Sequence, residues 1–177
     1  MLCAVCAVAV ALAKPLASHA DGGTTPAPPA PAPVDVNPVV PPLPVIRPRH
    51  VRRIQRHVFG NRVVGFAKHL LGTRYVWGGS TPGSGFDCSG FVRYVYGHFG
   101  ITLAHSSYAQ FDTGRRVARR SLKPGDLVFF DGLGHVGIYV GGGNFIHAPH
   151  TGTRVRIETL RGWYSSRYDG ARRLHAA

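Results

Sequence analysis

Acidic residues are scarce in this chain: eight Asp and Glu face 21 Lys and Arg among 177 residues, a formal net charge of +13. That imbalance is carried mostly by arginine and points to a polyanionic partner, for which nucleic acid, an anionic membrane and an anionic wall polymer all qualify. Long apolar runs are also missing. The one continuous stretch, Leu2 to Ala13, falls short of the roughly 20 residues that a membrane-spanning helix needs. Cysteine is the third shortage, with three in all, two of them (Cys3 and Cys6) inside that stretch.

The short apolar run followed by Ser18-His19-Ala20 has the small residues that a signal peptidase reads, although no Lys or Arg precedes it. Residues 1–20 are therefore expected to be a signal peptide and the product to be secreted to the cell wall or beyond. Removal of that segment leaves Cys88 as the only thiol, so no intramolecular disulfide can form. A single thiol in an oxidising compartment is a candidate reactive group. From Gly22 to Pro48, ten of 27 residues are Pro, a composition that cannot bury a core and reads as an extended linker over residues 21–49. The remaining residues, 50–177, are long enough for one domain, expected to be monomeric.

Within that domain, a basic run (Arg52, Arg53, Arg56) precedes Val63, Val64, Phe66, Ala67, Leu70 and Leu71 at helical spacing, which predicts a helix over Asn61 to Leu71 ended by Gly72. A second helix is predicted to start at Cys88 with Asp87 as N-cap and Phe91, Val92, Val95 and Tyr96 as its apolar stripe. Short β-rich runs follow at Asp126 to Phe130, His135 to Val140, Asn144 to Ala148 and Arg154 to Ile157, separated by Gly and Asp. Helices first and strands later predict an α+β fold with helices packed on an antiparallel meander.

Three features of this pattern bear on chemistry. A thiol attacks as thiolate, and the unpaired N–H groups at a helix start lower its pKa; Cys88 is placed there, after a Gly83-Ser84-Gly85 loop whose N–H groups suit an oxyanion site. In the run from His135, Val136, Ile138 and Val140 alternate onto the core face and turn His135 to the other. Reversal at Gly141-Gly142-Gly143 then brings His147 within one or two positions of His135, so that one ring can act as base and the second can orient it. A metal site built from His98, His105, His135, His147 and His150 is not expected, for want of a His-x-x-x-His helix, a Cys pair or a carboxylate fixed beside them, and no cofactor is called for.

Tyr75-Val76-Trp77-Gly78-Gly79, Phe86-Asp87-Cys88-Ser89-Gly90-Phe91, Ser106-Ser107-Tyr108-Ala109-Gln110, Leu122 to Phe130, Gly134-His135-Val136-Gly137-Ile138-Tyr139 and Phe145-Ile146-His147-Ala148 occur in an order that resembles the NlpC-type cell-wall peptidases, over roughly Val63 to Leu174. The resemblance implies a papain-like core and a Cys-His-His arrangement of Cys88, His135 and His147. It also implies cleavage of the γ-D-glutamyl to diamino acid bond of peptidoglycan stem peptides, making the chain a D,L-endopeptidase. It further implies that Tyr75 lends its hydroxyl to the oxyanion site and that Asp87, Ser89 and Ser106 contact substrate.

Two other readings remain open at this level. An N-acetylmuramoyl-L-alanine amidase would use the same nucleophile class, and a non-catalytic basic module would bind anionic wall polymer through the arginine runs. Nucleic acid is not expected as a partner, since no recognition helix or aromatic RNA motif accompanies the charge.

Overall fold

In the computed structural model, residues 48–174 are described, all within the second of the two units into which the chain divides, Met1–Leu43 and Pro44–Ala177. The proposed signal segment and nearly all of the linker lie outside the described residues, as do the side chains of Arg52, Arg53 and Arg56. No helix among the described residues is long and apolar enough to cross a membrane.

The first helix, α1, runs from Pro48 to Lys68, starting thirteen residues before the Asn61 expected from the apolar periodicity. Its C-terminal half buries Val63, Val64 and Ala67, whereas Leu71, expected on the same stripe, lies beyond the helix end and is 43% exposed. After a short hairpin of β1 (Ser80–Thr81) and β2 (Gly85–Phe86), α2 spans Cys88–Gly97 and buries Phe91, Val92, Val95 and Tyr96 as its spacing predicts. A five-residue helix α3 (Ser107–Phe111), strand β3 (Arg115–Arg116) and a 3-10 turn (Arg119–Ser121) lead into the sheet.

Strands β4 (Leu127–Phe130), β5 (His135–Gly141), β6 (Asn144–His147) and β7 (Arg156–Thr159) form the expected antiparallel meander. The chain then makes a short helix α4 (Trp163–Ser166) and crosses back as β8 (Tyr168–Arg173), giving the six-strand order β3-β8-β4-β5-β6-β7. Sequence periodicity misses β8 because it has no apolar alternation. Its arginines are held by distant partners instead: the Arg172 guanidinium sits 4.1 Å over the Phe111 ring, and Arg173 bonds Asp126 at 2.5 Å.

The sheet is buried on both faces. Leu127, Phe129, Val136, Ile138 and Ile146 pack with α1 and α2, while Val128, Phe130 and Phe145 pack with Val117, Leu160 and Ala171 under α4. By this alternation His135 and His147 share the parity of Phe145, on the face away from the two long helices. The helical layer is pressed close at one point, where a Cβ on Gly60 of α1 would lie 2.0 Å from the Pro124 carbonyl oxygen. Gly125 beside it adopts φ +88°, and the buried Tyr96 hydroxyl donates to the Gly125 carbonyl.

That contact makes a paired test within one helix. Gly60→Ala is expected to destabilise the domain by about 1–3 kcal/mol, because backbone must move to admit the methyl group. Gly65→Ala, with nothing within 4 Å of its Cβ, should instead stabilise it by roughly 0.5–1 kcal/mol. Equal midpoints for the two variants in urea would contradict the close approach.

Candidate active site

The start of α2 is organised by one carboxylate. Asp87 is the N-cap, its Oδ1 accepting from the Gly90 N–H at 2.6 Å and from the Ser89 hydroxyl at 3.1 Å. Its Oδ2 accepts from the Gly78 N–H at 3.0 Å, and His105 Nε2 donates to both oxygens at 2.9 Å. Gly90 is required for this: a Cβ there would come 2.1 Å from the Gly79 carbonyl oxygen and 2.9 Å from His105 Nε2. The Gln110 amide completes the anchorage by donating to the carbonyls of Ser89 (2.9 Å) and Ala104 (2.8 Å).

Cys88 therefore sits at a fixed helix start, as the sequence places it, but its thiol is less acidic than a helix start alone would make it. Burial pushes the Cys88 thiol up to about 11 against N–H groups of Val136, Ser89 and Cys88 that pull it down, with the nearby Asp87 charge adding to the rise. The Val136 amide lies one residue from His135, so Cys88 meets β5 beside the expected base. In the Gly83-Ser84-Gly85 loop the Ser84 N–H is already taken by Thr81 Oγ1 at 3.2 Å, and Gly85 lies opposite Thr81 in the β1–β2 hairpin.

His135 Nε2 lies 2.7 Å from His147 Nδ1. The register explains the meeting: Ile138 pairs with Ile146, so the two histidines stand on diagonally related positions of β5 and β6. A Cβ on Gly137 would be 2.7 Å from Phe145 Cδ2 and 3.1 Å from His147 Cβ, so glycine between them makes room for the second ring. Desolvation lowers His135 to about 4, with Glu158 opposing the fall, and lowers His147, which is 0% exposed, to about 2. Both rings are neutral in the resting molecule. Just before His135 the turn holds two non-glycine residues at positive φ, Asp131 (58°) and Leu133 (70°), pinned by an Arg167–Asp131 ion pair and by Leu133 N–H on Asp169.

Tyr75 is half-buried beside this centre, its N–H bonded to the Thr153 carbonyl at 2.9 Å. Burial, then the nearby Cys88 and Asp87 charges, raise its phenol above the ordinary value, so it stays a hydrogen-bond donor. Ser106 caps α3, its Oγ accepting from Ala109 N–H at 3.4 Å. The five histidines weighed for metal are dispersed: His98 stacks on Phe66 at 3.8 Å, His105 serves Asp87, His150 Nδ1 contacts the Thr151 carbonyl, and only His135 and His147 meet. Among the described residues no three His, Cys, Asp or Glu converge on a point that could hold a metal ion.

The sequence reading missed His105, Gln110 and Glu158. Gln110 closes the Ser106 to Gln110 motif and His105 precedes it; neither position has a local period that would reveal its partner. Glu158 Oε2 is 3.2 Å from His147 Nε2.

A family model described as the NlpC/P60 family matches residues 72–173. A probable endopeptidase p60 of Listeria innocua is 46% identical over 100 residues, covering 55% of this chain and 21% of that protein. A gamma-DL-glutamyl hydrolase of Bacillus subtilis is 43% identical over 119 residues, 63% of this chain and 29% of that protein. The chain thus spans less than a third of the length of these relatives. Among solved structures, the NlpC/p60 domain of the peptidoglycan hydrolase SagA superposes with a TM-score of 0.60 at 39% identity, covering 65% of this chain and 98% of that one. A structure from Bacillus cereus reaches 0.61 at 39% identity, covering 64% and 39%.

The neutral histidine pair has a thermodynamic signature. Groups whose folded pKa lies below the unfolded value of about 6.5 contribute stability present above that pH and lost as pH falls toward the folded value. Between pH 7 and pH 5, His147 alone should cost on the order of 2 kcal/mol of stability. Thermal melts over that range should show a falling Tm in the wild type and a shallower fall in His147→Gln. A wild-type Tm that is flat from pH 7 to pH 5 would refute neutral burial of the pair.

Proposed function

Because the chain belongs to the NlpC/P60 family, we propose that it is a secreted D,L-endopeptidase cleaving the γ-D-glutamyl to diamino acid bond of peptidoglycan stem peptides. The observation that carries this reading is the adjacency of a helix-start thiol at the Val136 amide to a 2.7 Å histidine pair, in a chain 43% identical to a gamma-DL-glutamyl hydrolase. In this reading the protein is a monomer of signal peptide (1–20), linker (21–49) and catalytic domain (50–177), acting outside the cell without a cofactor.

Cys88 and His135 rest as a neutral pair. As the sulfur attacks the scissile carbonyl, His135 takes the thiol proton and His147 bears part of the resulting charge. The oxyanion is held by the Cys88 N–H and the Tyr75 hydroxyl. His135 then returns the proton to the departing amine, and water hydrolyses the thioester with the same ring as base. Asp87, Ser89 and Ser106 flank the acyl side. Both Asp87 oxygens are already engaged and the residue is 8% exposed, so a free amino terminus of the substrate is drawn by the field of that carboxylate rather than by a spare lone pair.

Arg115 and Arg116 on the edge strand β3, with the exposed Arg120, form the basic surface proposed to meet anionic wall polymer. Arg119 is partly spent on the Leu160 carbonyl at 2.6 Å. Like charges stand opposite one another, Arg115 with Arg173 and Arg116 with Arg172, an arrangement that a polyphosphate would relieve.

Cys88→Ala is expected to abolish release of wall fragments with the fold retained. Mass spectrometry of the wild-type digest should show a new amino terminus on the diamino acid, the third stem residue. A new terminus on the first stem residue would instead make the protein an amidase, and no release at all would leave the basic binding module. Retention on insoluble wall should weaken several-fold between low and high salt in the Cys88→Ala protein; retention independent of salt would remove the electrostatic contact.

A further inference from the structure

Glu158 is the only glutamate in the chain. It stands on β7 opposite Phe145 of β6, its side chain 24% exposed, with Oε2 3.2 Å from His147 Nε2 and Oε1 2.6 Å from the Arg156 guanidinium. The Tyr164 hydroxyl donates to the same carboxylate, and burial together with that bond raises the phenol pKa. None of the steps above uses this residue.

We propose that Glu158 is a positioning residue that fixes the tautomers of both histidines and so leaves His135 Nδ1 as the nitrogen that takes the thiol proton. The inference rests on His135 being the base. A neutral imidazole has one N–H and one lone pair, and an ionised carboxylate can only accept. His147 must therefore carry its hydrogen on Nε2, toward Glu158, which leaves its Nδ1 as an acceptor. The 2.7 Å contact between the rings must then be donated by His135 Nε2. One nitrogen of His135 remains with a free lone pair, and it is Nδ1.

Without the carboxylate the same contact fits the opposite arrangement equally well. His147 Nδ1–H would donate to His135 Nε2, His135 would carry its hydrogen on Nδ1, and the base would have no lone pair to offer the thiol. Exclusion of the wrong arrangement requires Glu158 to stay ionised. Arg156 supplies the compensating charge from the same strand and Tyr164 a neutral donor from α4. His147 faces the carboxylate from β6, and His150 is the remaining titratable group that acts on both rings.

The test is long-range 15N NMR of the histidine side chains in the full chain at pH 7, which separates Nδ1–H from Nε2–H tautomers without any substrate. His135 and His147 should both be Nε2–H in the wild type. Glu158→Gln, whose amide can donate as well as accept, should populate Nδ1–H forms and lower kcat roughly 10- to 100-fold with KM little changed. Glu158→Asp should recover part of the loss. The acid limb of the Glu158→Gln profile should move to lower pH, because the lost carboxylate had raised His135. An Nδ1–H tautomer on His147 in the wild type overturns the proposal even if the variants fail to fold. Unchanged tautomers in a folded Glu158→Gln overturn it too, whatever kcat does. The expected tautomers in a protein that cuts no wall peptide would uphold the role of Glu158 in setting them and reject the peptidase reading alone.

Discussion

The site depends first on the Asp87 carboxylate. Its contacts with Gly78, Ser89, Gly90 and His105 draw together the loop before the β1–β2 hairpin, the first turn of α2 and the segment leading into α3. Charge-assisted bonds from N–H groups to a carboxylate cap are stronger than neutral ones, and here they converge on one residue next to Cys88. The glycine at 90 follows from the same constraint, since a side chain there would collide with the Gly79 carbonyl, while Gly78 is favoured by its φ of +73°.

Burial sets the protonation state of the centre, and it does so against the helix-start effect. A sheet covered on both faces leaves His135 and His147 little water, and both rings are held neutral. The thiol is raised by the same cause. A resting thiolate–imidazolium pair is thereby disfavoured and a neutral thiol stands beside neutral imidazoles. The sole glutamate then decides direction: it cannot donate, so the hydrogen bonds between the rings run one way.

The hairpin between His135 and His147 was readable because strand alternation and a triple glycine are local signals, and the N-cap before Cys88 was readable for the same reason. Elements held by distant partners were not. β8 looks polar although it lies inside the sheet, because Arg172 lies on Phe111 and Arg173 on Asp126. The first half of α1 carries too many charges to show a stripe, and Leu71 matched a stripe that the chain had already left.

What the sequence by itself determined was the α+β order of elements, the family motifs, the helix start at Cys88 and the hairpin that joins His135 to His147, each marked by a local pattern of capping, alternation or turn. Only the tertiary structure decided that His105 and Gln110 brace the helix start at Cys88, that the thiol is raised rather than lowered, and that Glu158 stands behind His147. These facts concern side chains brought together from separate segments and the water excluded by their packing. Neither a meeting across strands nor a desolvation has a period along the chain.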